Sequence, residues 1–232
     1  MKSRHILLIL ILMVAFSIYA QGSLQTVKVT FETTYGSITL EIYPEAAPNL
    51  SQRFLELCRK QHYTGTYFHF VDAGFIIAGG DLTIREEPLE KDIIDSYDKL
   101  PDEISAKALG LDMLLVRNSY LGKHLQREDP TRRLTMKAFL ESQGYKFTDS
   151  LPSIPNDYGY LAMASNQPNS NRTQFFIVTA KEGAPWLNGK NTVLGKVIEG
   201  MDVVHIIESL PHDEDNNPLP EQRATILNTI VE

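Results

Sequence analysis

The stretch VKVTFETTYGSITLEIYPEAAPNLSQRFLELC, residues 27–58, decides the fold. From Val27 to Thr33 apolar residues alternate with Lys28, Thr30 and Glu32, and Ile38-Thr39-Leu40-Glu41-Ile42 repeats the pattern beyond Tyr35-Gly36. Period-two alternation on both sides of a turn predicts an antiparallel hairpin with one buried face. The period then changes. Pro48 suits a first helical position, and Leu50, Phe54, Leu57 and Cys58 recur at i, i+4, i+7 and i+8, which predicts an amphipathic helix. Cys58 lies on its apolar stripe and is expected to be a buried packing residue, because a reactive thiol needs exposure and a basic neighbour.

Working toward the C-terminus, Tyr63–Phe70, Phe75–Asp81, Tyr160–Ala164 and Gln174–Ala180 are short apolar runs separated by turn residues. They read as further strands of a sheet that curls or closes. Val203, Ile206, Ile207 and Leu210 predict a second helix between Gly200 and Pro211, and Ala224–Val231 reads as a last strand. Between Asp81 and Tyr158 the chain is charged, poor in glycine and helical in period, so an insertion is expected at about residues 107–155. Within it Asp129-Pro130 resembles a capped helix start, Met136, Phe139 and Leu140 form a short apolar face, and Gly144 is a stop. The acidic run His212-Asp213-Glu214-Asp215 lacks regular ligand spacing and reads as a solvated turn.

Working toward the N-terminus, Lys2 and Arg4 precede an apolar run from Ile6 to Phe16, and Ser17-Ile18-Tyr19-Ala20 follows. This predicts a secretory signal over residues 1–20, cleaved near Ala20-Gln21, and a periplasmic or secreted protein. The run falls short of the roughly 20 apolar residues of an ordinary membrane span, so no membrane association is expected after cleavage. The leader holds two of the 22 basic groups and none of the 29 acidic ones, so the remainder carries a net charge of −9. Bulk electrostatics therefore exclude nucleic acid as a partner. The single cysteine excludes an internal disulfide and a cysteine-rich zinc site. With 43% hydrophobic and 22% charged residues, the 232-residue chain can bury a sizeable core, and residues 21–232 are expected to form one globular, monomeric domain.

Three segments, in order, resemble the cyclophilin family of peptidyl-prolyl isomerases: YGSITLEIYPEAAPNLSQRFLELC at 35–58, YTGTYFHFVDAGFIIAGGD at 63–81, and GYLAMASNQPNSNRTQFFIVTAKEGAPWLNGKNTVLGKVIEGMDVV at 159–204. The resemblance implies a mainly β fold, an eight-stranded antiparallel barrel capped by two α-helices, here with a helical insertion. It also implies a groove on the barrel's outer surface whose hydrophobic pocket takes a proline ring. The positions matching the pocket are Phe75, Ile76, Phe176 and Leu187, while Ala164, Trp186 and the glutamine Gln174 match the adjoining groove. Gln174 is the candidate catalytic residue. The implied partners are proline-containing peptides or protein segments, and no metal or organic cofactor is implied.

The chain departs from the family pattern where polarity matters most. After Phe68-His69 the family has an arginine, and this chain has Phe70. The groove glutamine before Gly79-Gly80-Asp81 is Ala78, the pocket methionine is Ile76, Ser165 replaces an asparagine, and Asn191 stands where many members have histidine. Arg172, two residues before Gln174, is the candidate substitute cation. Phe68, Phe175 and His69 read as core or satisfied polar residues. The expected function is an exported isomerase assisting protein folding, with activity reduced by Phe70. The competing readings are a non-catalytic proline-peptide binding or chaperone-like module, and a protein whose working surface is the segment 82–157.

Overall fold

A computed structural model of the chain describes residues 25–85 and 87–232, so the expected signal over residues 1–20 lies outside the described residues. Strands β1 (Val27–Thr33) and β2 (Gly36–Ile42) form the opening hairpin, with Phe31 opposite Ile38 and Val29 opposite Leu40. Helix α1 (Pro48–Arg59) follows and buries Leu50, Phe54, Leu57 and Cys58 completely. Burial pushes the Cys58 thiol well above its ordinary value, which leaves it a protonated packing group.

The remaining strands are β3 (Phe70–Asp72), β4 (Ile76–Gly79), β5 (Tyr160–Met163), β6 (Phe175–Val178), β7 (Val193–Glu199) and β8 (Ile226–Val231). All pairings are antiparallel, and the eight strands lie in the order β3-β4-β6-β5-β7-β2-β1-β8. The sheet curls until its ends meet. The Gly65 N–H donates to the Ile226 carbonyl, Ile226 N–H to Thr66, and Phe68 N–H to Ala224. Of the expected strand Tyr63–Phe70 only Phe70 lies in a regular strand, because Tyr63 and Phe68 enter the core from the connection that joins the two edges.

Helix α2 (Lys91–Asp95) precedes the insertion, α3 (Met136–Ser142) lies within it, and α4 (Met201–Glu208) follows β7. With α1 it caps the barrel, burying Val203, Val204 and Ile207. Ile206 was expected on this face but is 46% exposed, and Val204 fills the inward stripe instead. In the insertion, Asp129 caps a single 3-10 turn, Pro130–Arg133, and α3 has its own cap, the Thr135 hydroxyl accepting from Ala138 N–H. The start read at Asp129-Pro130 thus belongs to a separate turn. Among the described residues no helix is long and apolar enough to cross a membrane.

Three apolar clusters result from this layout. Inside the barrel and under its capping helices lie Phe31, Phe54, Tyr63, Phe68 and Phe175 with the aliphatic residues of α1 and α4. A second cluster occupies the outer face of β4, β5 and β6 and contains Ala78, Ala162, Phe176 and Val178. The third, Ala106, Leu111, Val116, Met136 and Leu140, is the insertion's own small core. A buried run, Asp102–Ala106, fastens the insertion to the barrel. Its Glu103 carboxylate accepts from Asn49 N–H at 3.1 Å, the Asn49 side chain at 2.7 Å and Leu50 N–H at 2.8 Å. Ala47 offers α1 no side-chain cap, so Glu103 caps that helix from a distant part of the sequence.

Candidate functional site

Strand alternation builds the site on the outer face. In β4, Ile77 points inward and Ile76 and Ala78 outward; in β6, Phe175 and Ile177 point inward and Phe176 and Val178 outward. The register aligns Phe70, Ala78, Phe176 and Ala162 across β3, β4, β6 and β5. Two alanines flanking a phenylalanine leave a depression in this row. The resulting groove has a volume of about 420 Å³. Phe70, Phe75, Ile76, Ala78, Phe176 and Leu187 supply its apolar walls, and Ala164, Ser165, Gln174 and Asn191 lie along it.

Of the residues singled out from sequence, Phe75, Ile76, Ala164, Gln174, Phe176 and Leu187 therefore surround one groove. Trp186 is placed differently. Its ring packs behind Phe75 at 5.5 Å and faces a separate cavity. Arg172 is exposed and lines a neighbouring cavity beside Tyr97 and Thr173, so it does not take the place of the missing arginine in the groove.

The polar groups around the groove are held by the loops between the strands. Gln174 donates from Nε2 to Asp81 Oδ2 at 3.0 Å, which orients its amide and leaves Oε1 without a hydrogen bond among the described residues. Gly80 makes this pairing possible. Its φ is +81°, and a Cβ there would sit 2.7 Å from the Thr173 carbonyl oxygen. That carbonyl also accepts from the buried Tyr63 hydroxyl at 2.7 Å, fixing the start of β6. Asn191 donates to the Met163 carbonyl at 3.1 Å and the Ser165 carbonyl at 3.4 Å, so its amide braces the backbone of the groove wall.

Three residues of the groove lining, His69, Asn166 and Asn217, were not singled out as such from the sequence. His69, read as core or satisfied, lines the groove, and its buried Nδ1 has no hydrogen-bond partner among the described residues. Burial lowers its affinity for a proton despite the nearby Asp81 charge, so His69 is neutral at neutral pH and supplies no cation. Asn217 reaches the groove from the acidic turn, held at 3.1 Å by the Asp213 carboxylate. The run 212–215 thus has a local structural use that its composition could not reveal. None of the described residues lining the groove is lysine or arginine.

The family model for cyclophilin type peptidyl-prolyl cis-trans isomerases matches residues 28–231, nearly the whole described chain. The chain belongs to the cyclophilin family. A peptidyl-prolyl cis-trans isomerase-like 3 of Rhizopus delemar is 32% identical over 84% of this cyclophilin and 90% of its own length. The Arabidopsis thaliana peptidyl-prolyl cis-trans isomerase CYP18-1 is 31% identical, covering 84% and 91%. In fold, a Cryptosporidium parvum cyclophilin type isomerase superposes with a TM-score of 0.61 at 24% identity, over 90% of this chain and 98% of its own. The same protein solved in the presence of the dipeptide Ala-Pro gives a TM-score of 0.59, again at 24% identity, over 88% and 98%. This cyclophilin is thus a member of an enzyme family of peptidyl-prolyl isomerases with the family's barrel and an apolar groove on its outer face.

Proposed function

We propose that this cyclophilin binds proline-containing segments of polypeptides in the outer groove and isomerises their X-Pro bonds slowly, assisting protein folding in a compartment reached by export. The groove's shape supports the binding step. Phe75, Ile76, Phe176 and Leu187 form an apolar depression that suits a pyrrolidine ring, and a fold relative has been crystallised in the presence of Ala-Pro. The N-terminal charge pattern supports export.

Rotation about an X-Pro bond makes and breaks no covalent bond. Its barrier, about 18–20 kcal/mol, is the loss of amide resonance as the bond twists. Binding energy accelerates the reaction only where it favours the twisted amide over both planar forms. In this groove the apolar walls hold the ring and exclude water from the amide. Gln174 and the bracing amide of Asn191 define the line along which the extended chain runs. The residue paired with Ala78 at the family's arginine position is Phe70, whose side chain has no donor, and burial keeps the neighbouring His69 from supplying a cation in its place.

The single observation carrying the reading of slow turnover is Phe70 in a groove whose described lining includes no cation. One preorganised donor to a transition state is worth about 2.7–4 kcal/mol, or roughly a hundred- to thousand-fold in rate. The same observation favours a second reading, a proline-peptide binding module in which turnover has fallen to background. A protease-coupled isomerisation assay on an Ala-Pro peptide distinguishes the two. The expected result is measurable but weak turnover by the native protein and a gain of about a hundredfold in Phe70→Arg. Native turnover equal to the variant's would overturn the impaired-groove reading, and peptide binding with no native turnover above background would establish the second.

A further inference from the structure

The insertion builds a second, larger cavity against the barrel, about 640 Å³ in volume. Its walls include Leu109, Leu111, Leu114, Leu121, Met136 and Phe139. The cavity is separated from the proline groove by one short chain segment, residues 185–191. In that segment Leu187 and Asn191 face the groove, whereas Pro185, Trp186, Asn188 and Lys190 face the insertion cavity. Aromatic rings run along the top of this wall. Phe75 lines the groove and packs on Trp186 at 5.5 Å, and Trp186 packs on the insertion's Tyr120 at 4.9 Å. Tyr120 remains 44% exposed, so the ridge is open to an arriving chain.

Charge further restricts what the cavity can accept. The chain as a whole is acidic, with a formal charge of −7, yet the basic side chains Lys123, His124 and Lys190 line this cavity and no described carboxylate does. A long apolar pocket with a basic rim complements a large apolar side chain next to a carboxylate. Continuity with the proline groove says where that side chain comes from. A wall one chain thick is on the order of 10 Å across, which roughly three extended residues span.

We propose that the insertion cavity is a subsite for the same polypeptide that places its proline in the groove, taking a large apolar side chain about three residues away whose neighbour is Asp or Glu. The inference rests on the reading of the groove as a proline-peptide site. It makes the insertion a selectivity element. Many polypeptides contain an exposed proline, and a second pocket at fixed distance chooses among them by the affinity gained when both are filled.

The test uses the full protein with methyl and indole NMR signals assigned, and peptides in which Phe-Glu or Gly-Ser is placed three residues before or after Ala-Pro. The Phe-Glu peptide in one orientation is expected to bind about tenfold tighter than its Gly-Ser counterpart, the effect of burying one large apolar side chain. It should shift Leu114, Leu121 and the Trp186 indole as well as Ile76 and Leu187. The advantage should vanish in Tyr120→Ala and, without any change in the core, in Lys123→Glu/Lys190→Glu, while the Gly-Ser peptide binds all three proteins equally. Equal affinity of the native protein for all peptides, with shifts confined to Ile76 and Leu187, overturns the subsite and leaves the groove reading standing. Failure of every peptide to move Ile76 and Leu187 overturns the groove reading and the subsite together. Shifts at Leu114 and Leu121 that follow protein concentration alone, or that decanoate reproduces in full, overturn the proposal by assigning the cavity to a second copy of the chain or to a small apolar acid.

Discussion

Phe175 and Phe176 are neighbours in β6 that face opposite sides of one sheet, and their surroundings differ as the two sides do. Around Phe175 stand the rings of Phe31, Phe54, Tyr63 and Phe68, with centroids 5.3–6.0 Å away. Phe176 has Ala78 on one side and Ala162 on the other. The same alternation thus produces a filled interior and a hollow exterior, and side-chain volume alone decides which. Large residues on the inner face specify the barrel, while small ones beside a single ring on the outer face leave room for a ligand.

The strongest way to break this contrast is to truncate each phenylalanine. Phe175→Ala removes a fully buried ring with ring neighbours on several sides and is expected to cost about 3–5 kcal/mol of stability. Phe176→Ala removes a ring that is also buried, 3% exposed, but that has alanines and not rings on its neighbouring strands, so denaturant unfolding should register a smaller loss. Peptide binding should show the reverse order, with Phe176→Ala abolishing it and Phe175→Ala, under conditions where the protein remains folded, leaving it within a few-fold. Equal stability losses would mean that the outer cluster is as structural as the inner one.

A smaller effect is expected where the buried run Asp102–Ala106 is fastened to α1. Glu103 satisfies two backbone donors of α1 and the Asn49 side chain while almost wholly buried. Glu103→Ala leaves these donors unpaired and is expected to destabilise the fold by about 1.5–3 kcal/mol, the usual range for hydrogen bonds to a charged group. Glu103→Gln keeps one acceptor but turns an amide N–H₂ toward a donor, so it should recover less than half of the loss. A chemical denaturation midpoint unchanged in Glu103→Ala would show that α1 needs no cap from the insertion.

What the sequence made legible follows from how local each signal is. Period-two and period-3.6 patterns are properties of neighbouring residues, and the hairpin and α1 were readable from them, whereas β4 and β6 read only as short apolar runs whose two faces the packing assigns. The groove residues from Phe75 to Leu187 were readable as segments resembling a family, which also located Phe70. Features set by distant partners were not readable. Glu103 meets α1 more than 50 positions away in sequence, and Trp186 turns toward Tyr120 because the insertion provides a surface that the family pattern does not describe. Ile206 was misplaced because either Val204 or Ile206 completes a helical stripe with Val203 and Ile207, and only packing against the barrel selects between them.

The smallest expected effect concerns the one titratable group shared by the two faces. His69 follows Phe68, which enters the inner core, and precedes Phe70 in the groove, and its own ring is desolvated with Nδ1 unpaired among the described residues. In the unfolded chain an imidazole takes a proton near pH 6.5, whereas burial lowers the value in the folded protein. Between those two values the unfolded state holds the extra proton, so stability falls as pH drops below about 6.5 and the loss levels off once the folded His69 also protonates. Above 6.5 the group is neutral in both states and contributes no slope. His62 is shifted in the same direction by its own burial and by Lys60 and Arg85, so the native slope contains both histidines. Unfolding free energies of the native protein and His69→Gln, measured from pH 7.5 to 5, should therefore converge in slope above 6.5 and diverge below it, the variant losing less. Parallel curves throughout would show that His69 reaches water freely and that the boundary between the filled and hollow faces is wetter than its packing implies.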